Sequence, residues 1–491
     1  MKRKLVLPTL LISAFCCGAA GAESAPRAVE RARTTAIPAC TAFVDAASAA
    51  GKGTAQQPHR TIAAAVAAAP EGAVICVAEG VYAEALSPGE KAFTLAGGFQ
   101  RGKNFTIRDS AAYVSKAQGK GGSFIRYEDP GPKGDQRTVI DGFEITGYSQ
   151  AILRDVYYSQ KFDVTNNYIH DNKCADQSLA GGGFALNNVS GRIAGNVFKK
   201  NACGRGGAGF LNDSANENSV VIERNLVDAN AGTEPEASHG GALYLFANKL
   251  QVTANTFTRN TVTRWGAGLY VGASVGSGQK TTATLSWNVY MHNSAGIAGG
   301  GMFCDDGAAC ISVHEIYYRN CGGNVFLDSG GFGATTAKFD HMTNVGALDV
   351  GCKAPGAGVV IERAAEAPDA YSFVNSIFWG NAPGMDFAVS CDANCGNVKI
   401  NVSHSLVETK YMKNGDLGIT FGAGVVAPVD PLFADVAGGD FHLKSAAGRW
   451  TPNGYVKDPV TSPALGQAAP KGGKRSELGA FGNGAEASQA Q

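Results

Sequence analysis

Charged side chains are scarce in this 491-residue chain: 42 Lys+Arg and 42 Asp+Glu make up 17% of it and cancel to a formal net charge of zero. Without a basic field there is no global attraction to nucleic acid, so that class of partner is set aside. So low a charge content also cannot solvate long exposed helices, which excludes a coiled coil or helical bundle. After the first two dozen residues no apolar run approaches the length that spans a bilayer, so no transmembrane segment is expected. The paired cysteines and histidines of a structural zinc site are missing too, since Cys304 to Cys310 and Cys391 to Cys395 are short spacings with no second close pair. What is abundant is glycine, 65 residues, which favours extended strands joined by tight turns. A chain of this length forms two or three ordinary domains or one elongated solenoid.

The first residues have the pattern of a secretory leader. Lys2, Arg3 and Lys4 precede an apolar run that ends in Ala20-Gly21-Ala22, an A-x-A cleavage signal, so the mature chain is expected to begin near Glu23. A retained anchor is the alternative, but the run is short. A lipid-modified Cys16 or Cys17 fits poorly because Ser-Ala-Phe precedes Cys16. Secretion would place the remaining ten cysteines in an oxidising compartment, and an even count there makes five disulfides the default expectation.

The centre of the chain repeats a phrase bounded by asparagines: Asn167 to Asn172, Asn196 to Asn201, Asn225 to Asn230, Asn255 to Asn260, Asn288 to Asn293, and a degenerate copy from Glu315 to Asn320. The steps are 29, 29, 30, 33 and 27 residues. No copy carries apolar residues at 3.6 spacing, and each contains short alternating runs such as Ser219–Glu223 and Lys249–Thr253, so the unit is a coil of a parallel β-helix. An asparagine at a bend bonds neighbouring backbone and repeats that contact one coil above, which is the physical basis of an asparagine ladder. Each phrase is followed by a glycine turn ending in an aromatic: Phe184, Phe210, Tyr244, Tyr270 and Phe303. These rings would stack from coil to coil at about 4.8 Å. The pattern leaves open whether they face the core or form an exposed sugar platform.

The cysteines keep the same register. Cys174 and Cys203 each lie two positions after the closing asparagine of their coils and are expected to bond across adjacent rungs. Ahead of the repeats, Ala63 to Ala69 reads as a short helix ended by Pro70 and Gly72, a cap on the first coil that Cys40 to Cys76 would pin. The chain then divides into a leader, 1–22, an N-terminal cap and first coils, 23–100, a parallel β-helix, 101–425, C-terminal coils and cap, 426–482, and a small, polar, disordered tail, 483–491. The stretches 100–134 and 410–424 read as loops.

These pieces resemble the right-handed parallel β-helix, pectate-lyase-like superfamily of secreted bacterial proteins. The resemblance rests on HRTIAAAVAAAPEGAVICVAEGVYAE from His59 to Glu84, GGF at Gly97 to Phe99, VIDGFEITG from Val139 to Gly147, the Asn and Gly-Gly repeats, and the closing DPLFAD, GDFHL, TSPAL and LGAFGN. It covers nearly the whole mature chain and implies an all-β solenoid with an N-terminal helical cap and a C-terminal cap. It does not imply one activity, because the superfamily includes lyases, hydrolases, epimerases and adhesins. Members that act on pectate use clustered acids to bind Ca2+ and an Arg or Lys as base. The chain shows no such dense acidic cluster, nor the Asn-Thr-Asp and Asp-Asp pattern of galacturonan hydrolases. No cofactor is assigned, and Ca2+ is the one ion the resemblance keeps open.

Aligning the glycine turns brings one column forward: Leu179, Arg205, His239, Trp265 and Ala298. Arginine fixes a carboxylate or sulfate by paired hydrogen bonds, histidine exchanges a proton, and tryptophan stacks on a sugar ring. The insertion 231–238 adds Glu234 and Glu236, while Arg264, Asp213 and Asp306 fall close by in the alignment. The candidate catalytic set is therefore His239, Arg205, Arg264 and Glu236, with Trp265, Asp213 and Asp306 as candidate substrate contacts. An uronate lyase would need one group to neutralise the carboxylate and another to remove the adjacent proton, here Arg205 or Arg264 with His239. The structural alternatives are a solvated ion pair for Arg205, a turn-capping bond for His239 and a loop cover for Trp265. His170 and His292 read as turn residues. The expected partner is an extracellular polysaccharide, bound and cleaved or bound alone; the alternative function is a noncatalytic adhesin or matrix protein.

Overall fold

A computed structural model describes residues 33–49, 51–214, 217–273, 281–329, 333–348, 352, 356–363, 370–382, 385–391, 399–408, 419–451, 454–471 and 476–482. Strands stack in parallel into three long sheets of 14, 12 and 10 strands, and the chain visits the three sheets in turn on each coil. In one coil, for example, Ser219–Glu223 lies in the first sheet, Leu226–Asp228 in the second and Leu243–Phe246 in the third. The protein is a parallel β-helix, as the repeat predicts.

The bends after the first and second sheets are built from left-handed residues. Arg224, Ala254, Trp287, His314 and His341 hold φ between 51° and 60° at the first bend, and Ala229, Arg259 and His292 do the same at the second. Such angles are costly for residues other than glycine, and the turn leaves backbone groups without ladder partners. Two buried asparagine columns satisfy them. Asn196 Nδ2 donates to the Val164 carbonyl one coil below and to Asn225 Oδ1 one coil above, and Asn225 Oδ1 also accepts from the Asn196 backbone N–H. The same three contacts repeat from Asn167 through Asn288, and in the second column from Asn172 through Asn293.

Glu315 ends the first column in place of asparagine, with Oε1 accepting from the Asn288 N–H and Nδ2. Its carboxyl is fully buried, and burial pushes its pKa up to about 8.

The interior is filled by inward residues of all three sheets, including Phe198, Val227, Leu245, Val252, Phe257, Tyr290 and Tyr317. Phe257, Tyr290 and Tyr317 stack at 4.9 and 4.8 Å between ring centres, the coil spacing read through side chains. The N-terminal end is closed by α1, Ile62–Ala68, one residue earlier than the sequence predicts. Thr61 caps it, the Glu84 carboxylate accepts from the Ile62 and Ala63 N–H groups, and Lys91 Nζ donates to three carbonyls at its other end. Cys40–Cys76 and Cys174–Cys203 pair as expected, and Cys304–Cys310 and Cys321–Cys352 complete four described disulfides. The fifth expected pair involves Cys395, which lies outside the described residues, as do the leader, the 483–491 tail and most of the 410–424 loop.

One expectation needs correction. The stretch 100–134 is not one loop but supplies coil strands Ser115–Gln118 and Ile125–Glu128, each only four residues long and alternating between buried and more exposed positions. The segment after residue 426 folds back along the solenoid. Phe441, Leu443, Ala464, Leu478 and Ala480 pack on the outward residues Ile316, Tyr318, Val345, Ile377 and Leu406 of the second sheet.

The Glu315 carboxyl gives the fold a pH dependence with a definite sign. The unfolded chain releases this proton near pH 4.5 and the folded chain near 8, so the group favours folding fully below the lower value and loses that contribution as pH rises through the higher. Glu315→Gln is expected to leave unfolding free energy unchanged at pH 4 and to gain on wild type by about 1 kcal/mol per pH unit between roughly 5 and 8, checked by urea denaturation at each pH.

Candidate functional site on the third sheet

The glycine turns lead into the third sheet, and the register of that sheet decides where the aromatics point. Phe210, Tyr244, Tyr270, Phe303 and Phe326 pair directly across successive strands and face away from the solenoid interior. Phe184 does not join them. It pairs with Gly209, points inward and is completely buried, because in a turn of the same length the aromatic stands one residue earlier, and Ala185 holds the outward position that pairs with Phe210. The aromatic column is thus an outer ladder of its own. Its members pack with Phe246, Trp265 and Ala298, so that Tyr270 and Phe303 are covered while Phe210 and Tyr244 stay half-exposed.

The residue column before the turns is also real, with one shift: Ala180, not Leu179, pairs with Arg205, and His239, Trp265 and Ala298 follow. Gly240 makes this possible. Its φ is +66°, and a side chain there would collide with the Leu243 carbonyl at 2.5 Å, so the chain reverses tightly and lays His239 back over the outer ladder.

The His239 ring stacks on Tyr244 and on Trp265, with centroids 5.3 and 4.9 Å apart, and meets Tyr270 edge-on at 5.0 Å. Its Nδ1 donates to the Ala237 carbonyl at 2.8 Å, which leaves Nε2 as the unprotonated nitrogen. Burial, reinforced by the nearby Arg205 and Arg264 charges, lowers its pKa to about 4.

Arg264 lies over the Trp265 ring at 3.9 Å and donates to the Glu236 carbonyl at 2.7 Å. Arg205 is oriented by Glu234, whose carboxylate accepts from Nε at 2.9 Å, and by the Ala237 carbonyl. The acid that serves the arginine is therefore Glu234. Glu236 gives Arg264 its backbone carbonyl and, at 3.7 Å, a loose ion pair through a carboxylate side chain that is 92% exposed.

Asp213 is placed apart from this group. It is buried at the bend beyond the third sheet, where its carboxylate accepts from the Asn218 and Asn248 N–H groups and the Asn218 amide, and so closes a loop. Asp306 sits half-buried at a left-handed turn, and its charge acts on Tyr244, Tyr270 and Asp305.

The residues that sequence reasoning underrated are Tyr244, Tyr270 and Asp305. The Tyr270 hydroxyl donates to the Asp305 carboxylate, and burial with the Asp306 charge beside it pushes the Asp305 carboxyl well above the usual carboxylate range. Asp305 follows Cys304 on the outward side of the strand, a position that counting in twos from Phe303 would have found.

Among the described residues no three His, Cys, Asp or Glu side chains converge on a point that could hold a metal ion. A cleft of about 250 Å³ lies elsewhere, at the N-terminal cap beside Asp45, Gln56, Arg101 and Phe105. The third-sheet group is instead an outward-facing surface of guanidinium, imidazole, phenol and indole, suited to stacking and to binding an anion.

The protein is a right-handed parallel β-helix. Residues 101–277 match the family described as the right handed beta helix region, and residues 413–468 match one described as disaggregatase related. No curated protein matches the sequence. A solved structure, the complex of XylC with xylose, aligns over 80% of this chain and 87% of its own at 11% identity and a TM-score of 0.46, a likeness that bears on neither ligand nor chemistry here.

Titration of His239 checks the site's electrostatics directly. Its ring resonances, followed by NMR from pH 3 to 8, are expected to move with a midpoint near 4 rather than near the ordinary 6.5. A midpoint at or above 6 would mean that the ring is solvated and not packed between Tyr244 and Trp265.

Proposed function

We propose that the chain is an extracytoplasmic β-helix whose third-sheet flank binds an anionic polysaccharide without cutting it. The observation that carries the reading is the placement of Arg205 and Arg264 on either side of the packed His239 and Trp265, beside the half-exposed rings of Phe210 and Tyr244. Guanidinium groups bind carboxylate or sulfate in paired geometry, and aromatic faces take the apolar faces of sugar rings. Four disulfides fit an oxidising compartment, and no described helix is long and apolar enough to cross a membrane.

Binding is favoured over cleavage by the chemistry of the candidate base and acid. A histidine with a pKa near 4 is a weak acceptor for the proton beside an uronate carboxylate at neutral pH, since an efficient general base titrates near the working pH. Glu236, the acid expected from sequence, stands in solvent. Calcium has no set of convergent acids to bind among the described residues.

The test is a panel of neutral, uronate and sulfated polysaccharides, with and without calcium, read for both retention in affinity electrophoresis and chain length. Wild type is expected to be retarded by an anionic member and to leave its length unchanged. Arg205→Ala and Trp265→Ala are each expected to weaken retardation about tenfold or more, in line with the loss of one charged contact or one stacked ring. Shortening of a uronate polymer that disappears in His239→Ala would replace this reading with a lyase, using the free Nε2 as base.

A further inference from the structure

The turn from the third-sheet strand Ile152–Asp155 to the first-sheet strand Gln160–Thr165 has a composition that stability alone does not explain. Tyr157 and Tyr158 stand 71% and 53% exposed, edge-to-face at 5.6 Å between ring centres. Exposed rings are ordinarily mobile, but this turn is fixed from within.

Arg154 is completely buried, yet none of its hydrogen-bond partners is a carboxylate. Its guanidinium donates to the carbonyls of Val156, Tyr158, Asn187, Asn188 and Pro132, and Nε donates to Gln160 Oε1. Asn188 Nδ2 donates to the Val156 and Tyr157 carbonyls, and the Tyr157 N–H donates to Asp129. Every carbonyl from Val156 to Tyr158 is thereby bonded. Desolvating a guanidinium with neutral partners alone is expensive, and burial lowers its pKa to about 10. The result is a rigid aromatic corner presented to solvent, already ordered before anything binds.

Beside this corner the outward face of the third sheet changes character. Asp155, Asn187 and Asn212 occupy one outward row; Asp155 is exposed, the two amides are half-exposed, and Asn187 Nδ2 donates to Asp155 Oδ1. This row supplies hydroxyl-binding donors and acceptors with no guanidinium. The strand Ile152–Asp155 is two steps along the sheet from Gly209–Asn212, the strand that follows Arg205, about 10 Å across the strands at their usual spacing, and the tyrosine corner lies at the opposite end of the strands from Arg205.

We propose that Tyr157 and Tyr158, with Asp155, Asn187 and Asn212, form a second carbohydrate subsite that stacks a pyranose ring and hydrogen-bonds its hydroxyls. The proposal rests on the flank being a glycan surface and extends it: a chain anchored by its charged group at Arg205 crosses the third sheet obliquely and ends on the tyrosine corner. Toward the corner the outward position held by Phe210 and Tyr244 passes to Ala185 and Leu153, so no further outer aromatic stands between the two groups on this row.

Calorimetry with alginate and polygalacturonate oligomers of two, four, six and eight residues tests this in the full chain. Wild type is expected to gain affinity steeply between the dimer and the hexamer. Tyr157→Ala/Tyr158→Ala is expected to bind the dimer as wild type does and to lose about tenfold or more on the hexamer, while Tyr157→Phe/Tyr158→Phe keeps the gain. Both rings are exposed, so unchanged circular dichroism and melting temperature serve as the folding control. Hexamer affinity within twofold of wild type in the double alanine variant overturns the proposal and leaves the Arg205 surface standing. A loss in the tyrosine variant with none in Arg205→Ala or Trp265→Ala keeps the corner and overturns the other reading. No binding of any oligomer to wild type, with sulfated oligosaccharides of the same lengths included, overturns both.

Discussion

Everything on the surface of this protein depends on how its bends are held. A β-helix must turn twice in a few residues between its first and second sheets and again after the second, and the turns used here put arginine, alanine, tryptophan and histidine in left-handed backbone. The asparagine columns make that tolerable: each amide bonds backbone below and its own equivalent above, so one coil's turn is completed only by its neighbours. This is a cooperative constraint, because a ladder position has no complete set of partners in an isolated coil. It also explains why the same contacts recur from Asn167 to Glu315 although the steps vary between 27 and 33 residues, and why serine hydroxyls at Ser376 and Ser405 can take over further along.

With the bends fixed, the third sheet is free to vary its outward face. Its inner side chains belong to the common core, but the outer ones answer only to each other and to the loops before them. Insertions occur in the connections on both sides of this sheet, and the 233–238 segment before it supplies the Ala237 carbonyl that sets the His239 tautomer and the Glu234 carboxylate that orients Arg205. The same packing that orders His239 removes it from water, and that lowers its basicity. A side chain chosen from sequence for proton transfer thus becomes, in place, a neutral ring in an aromatic stack. The tyrosine corner shows the opposite arrangement, in which a buried charge orders a turn so that two rings can remain exposed.

The parallel β-helix, its register and two disulfides were legible in the sequence because a repeat of about thirty residues announces itself: asparagine, glycine and cysteine recur at positions where only one geometry uses them all. The Arg205, His239 and Trp265 column was legible for the same reason. Other features were not. Phe184 looks like a ladder member but lies inside, since it stands one position earlier in the strand than Phe210 and a shift of one residue reverses the side of the sheet it faces. Asp213 matched the alignment yet serves a loop, and Glu236 matched the chemistry yet faces solvent, because alignment gives a residue's coil and not its direction. The bond between Tyr270 and Asp305 was not legible because it joins different coils.

The sequence by itself determined the architecture and the coil on which each residue sits, because period-two alternation and the ladder residues are local and repeated. Only the tertiary structure decided which side chains are wet. Burial, tautomer and the pairing of charges depend on neighbours about thirty residues away and on loops whose paths no repeat dictates, and it is those contacts that turn a column of aligned letters into a surface with His239 neutral, Arg205 oriented and Tyr157 exposed.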